Sequence, residues 1–170
     1  MIDQYLTFLI AGDPYAVGVA HVREIVGFDS PTRVPGTPPW IRGVVNLRGL
    51  VVPVVDLAVK FGRAASEVTR RTCVVIVELQ LGGEPVTMGI MVDAVSQVIE
   101  LTPEQILPPP TFGANVRIDY LLGLVTTANT FASLLDIERV LTAEEMLAAE
   151  DSAALSSPRG SANAVQVQGG

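Results

Sequence analysis

The sequence has little of what most protein chemistry needs. Its 170 residues include one cysteine, Cys73, and one histidine, His21. A zinc site of two Cys and two His cannot be assembled from them, and neither can a disulfide within the chain. There is no Gly-x-Ser-x-Gly elbow, no Walker loop and no Gly-x-Gly-x-x-Gly turn, and the carboxylates are scattered singly rather than paired for acid–base work. His21 lies between apolar neighbours, where a lone imidazole reads as a structural or surface residue. Cys73 opens the apolar run Val74-Val75-Ile76-Val77 and reads as a small core side chain. Catalysis, cofactor binding and metal binding are therefore not expected. No apolar run approaches the roughly 18 residues a membrane helix needs. The stretch Tyr5–Ala11, broken by Thr7 and without a basic flank, is too short for a signal peptide. The expectation is a soluble, cytoplasmic chain.

Charge is sparse and uneven. Charged residues make up 17% of the chain against a usual share of about 25%. The formal net charge is −7, yet residues 1–71 carry eight basic and six acidic side chains, while residues 72–141 carry two basic and eight acidic. Ten of the eleven cations are Arg, which favours bidentate, partly buried pairing. An acidic chain with only five Phe, three Tyr and one Trp lacks the basic, aromatic face of a β-barrel that binds nucleic acid.

What is present is a strand pattern. Apolar residues reach 49%, enough for a large core. Short runs rich in Val, Ile and Leu recur between Gly, Pro, Asp and Asn: Tyr5–Ile10, Tyr15–Val19, Val44–Leu47, Leu50–Val55, Cys73–Leu79, Val86–Val92, Val95–Leu101, Leu121–Thr126 and Phe131–Ile137. Gly12-Asp13-Pro14, Gly82-Gly83-Glu84 and Arg48-Gly49 mark hairpin turns. Asp56–Phe61 suits one turn of helix. Thr142-Ala143-Glu144-Glu145 suits the capped start of a short C-terminal helix running to about Glu150. From about Ala148 the composition turns to Ala, Ser, Gly, Gln and Asn, that of a flexible tail.

The chain also repeats itself. Trp40-Ile41-Arg42-Gly43-Val44-Val45 is matched 80 residues later by Tyr120-Leu121-Leu122-Gly123-Leu124-Val125, and Val54-Val55-Asp56-Leu57 by Leu134-Leu135-Asp136-Ile137. Upstream, Val22-x-x-Ile25 matches Val95-x-x-Val98, and Val34-Pro35 matches Leu107-Pro108, both 73 residues apart. Two constant offsets that change once indicate a duplicated β unit. Its expected product is an all-β protein of two small barrels packed through a shared core, with Val54 and Leu134 buried.

The most informative stretch is Ile41–Leu57, two strands joined by Asn46-Leu47-Arg48-Gly49. Gly49 supplies the positive φ a tight turn needs. Pro53 cannot donate to a ladder, so its strand should have an edge or a bulge there. A guanidinium fixed at such a tip suits recognition of a protein partner. On the residues alone it suits a solvated turn equally well.

At these residues the chain resembles the CheW family of chemotaxis coupling proteins, from about Tyr5 to Met146. The resemblance rests on Val22-Arg23-Glu24-Ile25, Thr37–Gly49, Pro53–Leu57, Gly89–Val95, Tyr120–Gly123 and Leu134–Ile137. It implies two intertwined five-stranded SH3-like barrels within 1–147, roughly 15–75 and 5–14 plus 76–141, followed by the tail 148–170. It implies a non-enzymatic adaptor without cofactor that binds the regulatory domain of a chemotaxis histidine kinase and the cytoplasmic tip of chemoreceptors, and so is recruited to receptor arrays. A related pathway controlling surface motility or gene expression would use the same adaptor. The protein-binding residues it implies are Val22, Glu24, Gly43, Asn46, Arg48 and Gly49, with Arg48 paired to Glu24 and at least partly exposed. The loop Leu107–Phe112 stands where the family forms rings with the kinase, but Leu107 replaces a frequently charged residue.

Overall fold

The computed structural model describes residues 2–109, 120–127 and 130–141, with Leu81 described by its backbone only. The expected helix from Thr142, the tail from Ala148 and the loop beyond Pro109 lie outside the described residues. Among the described residues ten strands form: β1 (Asp3–Ile10), β2 (Asp13–Gly18), β3 (Val22–Gly27), β4 (Ile41–Leu47), β5 (Leu50–Asp56), β6 (Cys73–Leu81), β7 (Glu84–Val92), β8 (Ala94–Leu101), β9 (Leu121–Thr127) and β10 (Thr130–Leu135). Single helical turns α1 (Leu57–Lys60) and α2 (Ile137–Val140) follow β5 and β10. Among the described residues no helix is long and apolar enough to cross a membrane.

The strands make two five-stranded sheets, ordered β3-β6-β7-β5-β4 and β8-β1-β2-β10-β9. The fold is all-β, as the short Val-rich runs imply. The boundaries differ from the expected 15–75 and 5–14 plus 76–141. Strand β2 joins the second sheet, and β6 and β7 both join the first. Tight turns are the reason. Ala11-Gly12 and Gly82-Gly83, all at positive φ, keep β1 with β2 and β6 with β7 as antiparallel hairpins.

The duplication is visible atom by atom. A bulge at Arg23 separates the pairs Val22↔Val77 and Glu24↔Ile76, and one at Ser96 separates Val95↔Phe8 from Gln97↔Thr7. The Asp56 amide donates to the Trp40 carbonyl at 2.8 Å, and the Asp136 amide to the Tyr120 carbonyl at 2.8 Å. Strand β5 runs parallel to β7, and β10 parallel to β2. One expected match shifts by two residues. Leu107 bridges Leu124, and its counterpart, bridging Val44, is Thr32 rather than Val34. Strand β3 was not among the expected runs because Arg23 and Glu24 interrupt its apolar residues.

The inner strands bury both faces, while outer strands such as β3, β8 and β9 keep exposed positions. Val75 and Val77 of β6 enter a core shared by the two sheets, while Val74 and Ile76 enter a smaller core inside the first. That is why β6 reads as a continuous apolar run and not as an alternation. Val54 and Leu134 are buried at matching places in the two smaller cores, as expected. A file of rings, Phe8, Tyr15, Phe61 and Tyr120, runs through the shared core at centroid spacings of 6.4, 5.9 and 5.9 Å. The Lys60 ammonium lies 4.3 Å from the Trp40 ring centre and 5.9 Å from that of Tyr120, tying the first unit to the second.

Candidate protein-binding site

The β4–β5 hairpin closes with Leu47 opposite Leu50, leaving a two-residue turn of Arg48 and Gly49. Their φ values are +50° and +87°, the left-handed pair of a type I′ turn. Asn46 fixes the turn, its Oδ1 accepting from the Gly49 amide at 2.9 Å. Arg48 is one of two non-glycine residues at positive φ among the described residues, the other being Ala11 in the β1–β2 turn.

Strands β3 and β4 are the two outer strands of the first sheet, yet Val26 of β3 and Val45 and Leu47 of β4 pack on the same small core. The sheet therefore curls, and its two outer strands approach. Arg48 spans them. Its Nη1 donates to Glu24 Oε1 at 3.3 Å and its Nη2 donates to Oε2, a bidentate pair. The Arg48 side chain is 69% exposed and that of Glu24 29%. The Arg48 hydrogen bonds hold the Glu24 carboxyl below the usual carboxylate range, with Arg23 adding to the effect. The same contact raises the Arg48 guanidinium above its ordinary value. This is the arrangement expected of the two residues.

Val22 is half-buried against the shared core, and Asn46 and Gly49 are exposed. Gly43 is different. It is buried, and a Cβ there would stand 2.5 Å from the Thr32 carbonyl oxygen. It shapes the site from behind rather than offering surface. Ile25, Leu50 and Val51 are exposed aliphatics flanking the ion pair in sequence.

Of the edge or bulge expected at Pro53, the β4–β5 ladder shows an irregularity beside it, between Ile41 and Gly43 opposite Val55 and Val54, but no edge. Strand β5 lies between β4 and β7, not at an edge. Proline is tolerated because its cross-strand neighbour Val44 sends both its amide and its carbonyl outward to Thr32, and pairing with β7 begins only at Val54.

The sequence reading missed a second cluster. The Asp56 carboxylate, 1% exposed, accepts from Arg42 Nη1 at 3.1 Å, from the Ser66 amide at 2.9 Å, from Ser66 Oγ at 2.8 Å and from the Ala58 amide at 3.1 Å. It caps α1 and fastens the segment after it. In the second unit Asp136 keeps the cap on α2, but Leu122 stands where Arg42 does. That asymmetry within the repeat was the available signal. His21 lines a groove with Asp3, Glu100 and Asp136 in which Cys73 takes no part. Burial pushes the Cys73 thiol up, against a lesser opposing hydrogen bond with the Val95 backbone. Among the described residues no three His, Cys, Asp or Glu are grouped to hold a metal.

Comparison with known proteins points one way. The model of the CheW-like domain family matches residues 4–145. A chemotaxis protein CheW from Klebsiella aerogenes is 40% identical over 144 residues, covering 85% of this chain and 84% of its own. One from Bacillus subtilis is 32% identical over 143 residues, covering 84% and 88%. The crystal structure of the scaffolding protein TtCheW from Thermoanaerobacter tengcongensis superposes with a TM-score of 0.76 at 30% identity, covering 86% of this chain and 94% of that one.

Proposed function

This chain belongs to the CheW-like domain family, and from that premise we propose that it is a non-enzymatic adaptor coupling chemoreceptors to a chemotaxis-type histidine kinase. The observation that carries the reading is the Arg48–Glu24 pair across the two outer strands of the first sheet. A guanidinium has five N–H donors, and gripping one carboxylate leaves others pointing to solvent in a fixed direction. Beside it the exposed Ile25, Leu50 and Val51 supply apolar area without a large aromatic anchor. Val22, Glu24, Asn46, Arg48 and Gly49 form the contact surface, and Gly43 supports it. Aliphatic contacts worth about 1–3 kcal/mol apiece give modest pairwise affinity, so an array of such contacts gains its strength from multivalency. The adaptor raises the effective concentration of receptor tip and kinase near each other. It transmits a signal when receptor states differ in their fit to this surface.

Calorimetric titration with the regulatory domain of a chemotaxis-type kinase from the same genome, and separately with a receptor-tip fragment, tests the reading. Saturable one-to-one binding that weakens in a folded Arg48→Glu variant supports it. Weakening towards one partner alone assigns Arg48 to that partner. Binding to neither refutes the adaptor role.

A further inference from the structure

At the far end of β5 from the Arg48 turn, seven residues and so about 20 Å away, lies an open cleft of about 730 Å³ between the segment after α1 and the β1–β2 and β7–β8 turns. Its floor is apolar, with Leu9 beside the small side chains of Ala58 and Ala94. Its rim carries Arg63, Arg70 and Arg71. Arg63 is already engaged, Nη2 donating to Asp13 at 2.7 Å and Nη1 to the Ala11 carbonyl at 3.4 Å. Arg70 and Arg71 are exposed, and neither guanidinium has an acceptor among the described residues.

Their backbone is nonetheless held. The Thr69 amide donates to Thr72 Oγ1 at 2.8 Å, the Arg71 amide to Thr69 Oγ1 at 3.1 Å and the Thr72 amide to the Thr69 carbonyl at 3.2 Å. The other end of the segment is fastened by Ser66 to the buried Asp56. Two adjacent uncommitted guanidinium groups thus stand on a fixed turn over an apolar floor, in a chain whose net charge is −7.

We propose that this cleft is a second docking site, for an acidic peptide segment of a partner protein with small or aliphatic residues between its carboxylates. The aliphatic residues would cover the alanine floor, and the carboxylates would take the free donors of Arg70 and Arg71. Glu67 and Asp93 also line the cleft, so only a segment whose carboxylates are spaced to reach Arg70 and Arg71 fits. A nucleic acid, with a phosphate at every residue and no aliphatic side chains for the floor, fits worse. The proposal is independent of the coupling function assigned to the Arg48 surface.

Fluorescence anisotropy with a labelled peptide of repeating Glu-Ala-Glu-Leu tests it, using the full chain, with circular dichroism confirming that each variant folds. Saturable binding should weaken about tenfold in Arg70→Glu/Arg71→Glu and fall as salt is raised. It should be unchanged in Arg33→Glu, an exposed Arg outside this cleft. Absence of saturable binding, equal binding of the peptide with Gln in place of Glu, equal loss in Arg33→Glu, or tighter binding of a single-stranded oligonucleotide would each overturn it.

Discussion

Among the described glycines, the two at which an added Cβ would come nearest to backbone atoms are related by the repeat, Gly43 and Gly123. An alanine Cβ at Gly123 would lie 2.3 Å from the Leu107 carbonyl oxygen and 2.7 Å from Ile106 Cγ2. One at Gly43 would lie 2.5 Å from the Thr32 carbonyl oxygen and 2.8 Å from Pro31 Cβ. Normal contact needs more than 3 Å, so in each case the bridging segment must retreat. It is held by two hydrogen bonds, Leu107–Leu124 at 2.8 and 2.9 Å and Thr32–Val44 at 2.9 and 2.8 Å. Losing both costs about 1–3 kcal/mol, and forcing the methyl into packed surroundings adds about 1–3 kcal/mol. Gly123→Ala should therefore destabilise by about 2–6 kcal/mol, measured by urea unfolding. Gly43→Ala should cost more, because φ at Gly43 is +150° whereas Gly123 has ordinary φ. At a slope of about 2 kcal/mol per molar urea, a loss of 3 kcal/mol lowers the midpoint by about 1.5 M. A loss below about 0.5 kcal/mol in Gly123→Ala would refute the reasoning, since it would mean that the bridging segment yields freely.

Three further outcomes follow from the electrostatics and burial. Glu24 has a depressed folded-state pKa, so the stability it lends is present above the ordinary Glu pKa and is lost as pH falls through the lowered value. NMR titration of its carboxyl should show the pKa rising towards the ordinary value in Arg48→Ala, and an unchanged titration would refute the pairing. Asp56→Ala removes the helix cap, the Ser66 anchor and the partner of Arg42, and should cost about 3–5 kcal/mol in thermal or chemical unfolding. A cost near zero would show that the segment 62–72 stands without it. Cys73 is half-buried with a raised pKa, so a disulfide exchange reagent at mildly alkaline pH should label it more slowly than a free thiol. Labelling at the free-thiol rate would contradict its placement at the start of β6.

Much of the fold is legible because local chemistry decides it. Gly, Asn and Asp punctuate Val- and Ile-rich runs, and turns at positive φ force antiparallel hairpins whatever else the chain does. The repeat carries the architecture because matched residues serve matched hydrogen bonds: the amides of Asp56 and Asp136 donate to the carbonyls of the matched aromatic residues Trp40 and Tyr120. Strand β3 and the Thr32 bridge were less legible. One is interrupted by Arg23 and Glu24, whose bulge no run of apolar residues announces, and the other is a single pair of hydrogen bonds in a proline-rich stretch. Of the candidate site, the exposure of Arg48 and its turn follow from Asn46-Leu47-Arg48-Gly49 alone. The burial of Gly43 does not, because it depends on Thr32 arriving from outside the hairpin.

By itself the sequence determined what is local or repeated: an all-β chain of two related units, three glycine-containing hairpin turns, and too little His and Cys for a zinc finger or a disulfide. Tertiary structure decided what depends on residues far apart in the chain. It put β2 in one sheet and β6 and β7 in the other, and it made Pro53 an inner-strand residue by turning Val44 towards Thr32. It buried Asp56 among Arg42 and Ser66, and it curled the first sheet until Arg48 met Glu24 across 24 residues of sequence. Turns and periodicity are fixed by neighbouring dihedrals and side chains, whereas pairings between distant segments exist only once the sheets have packed, because only burial in a common core brings those segments together.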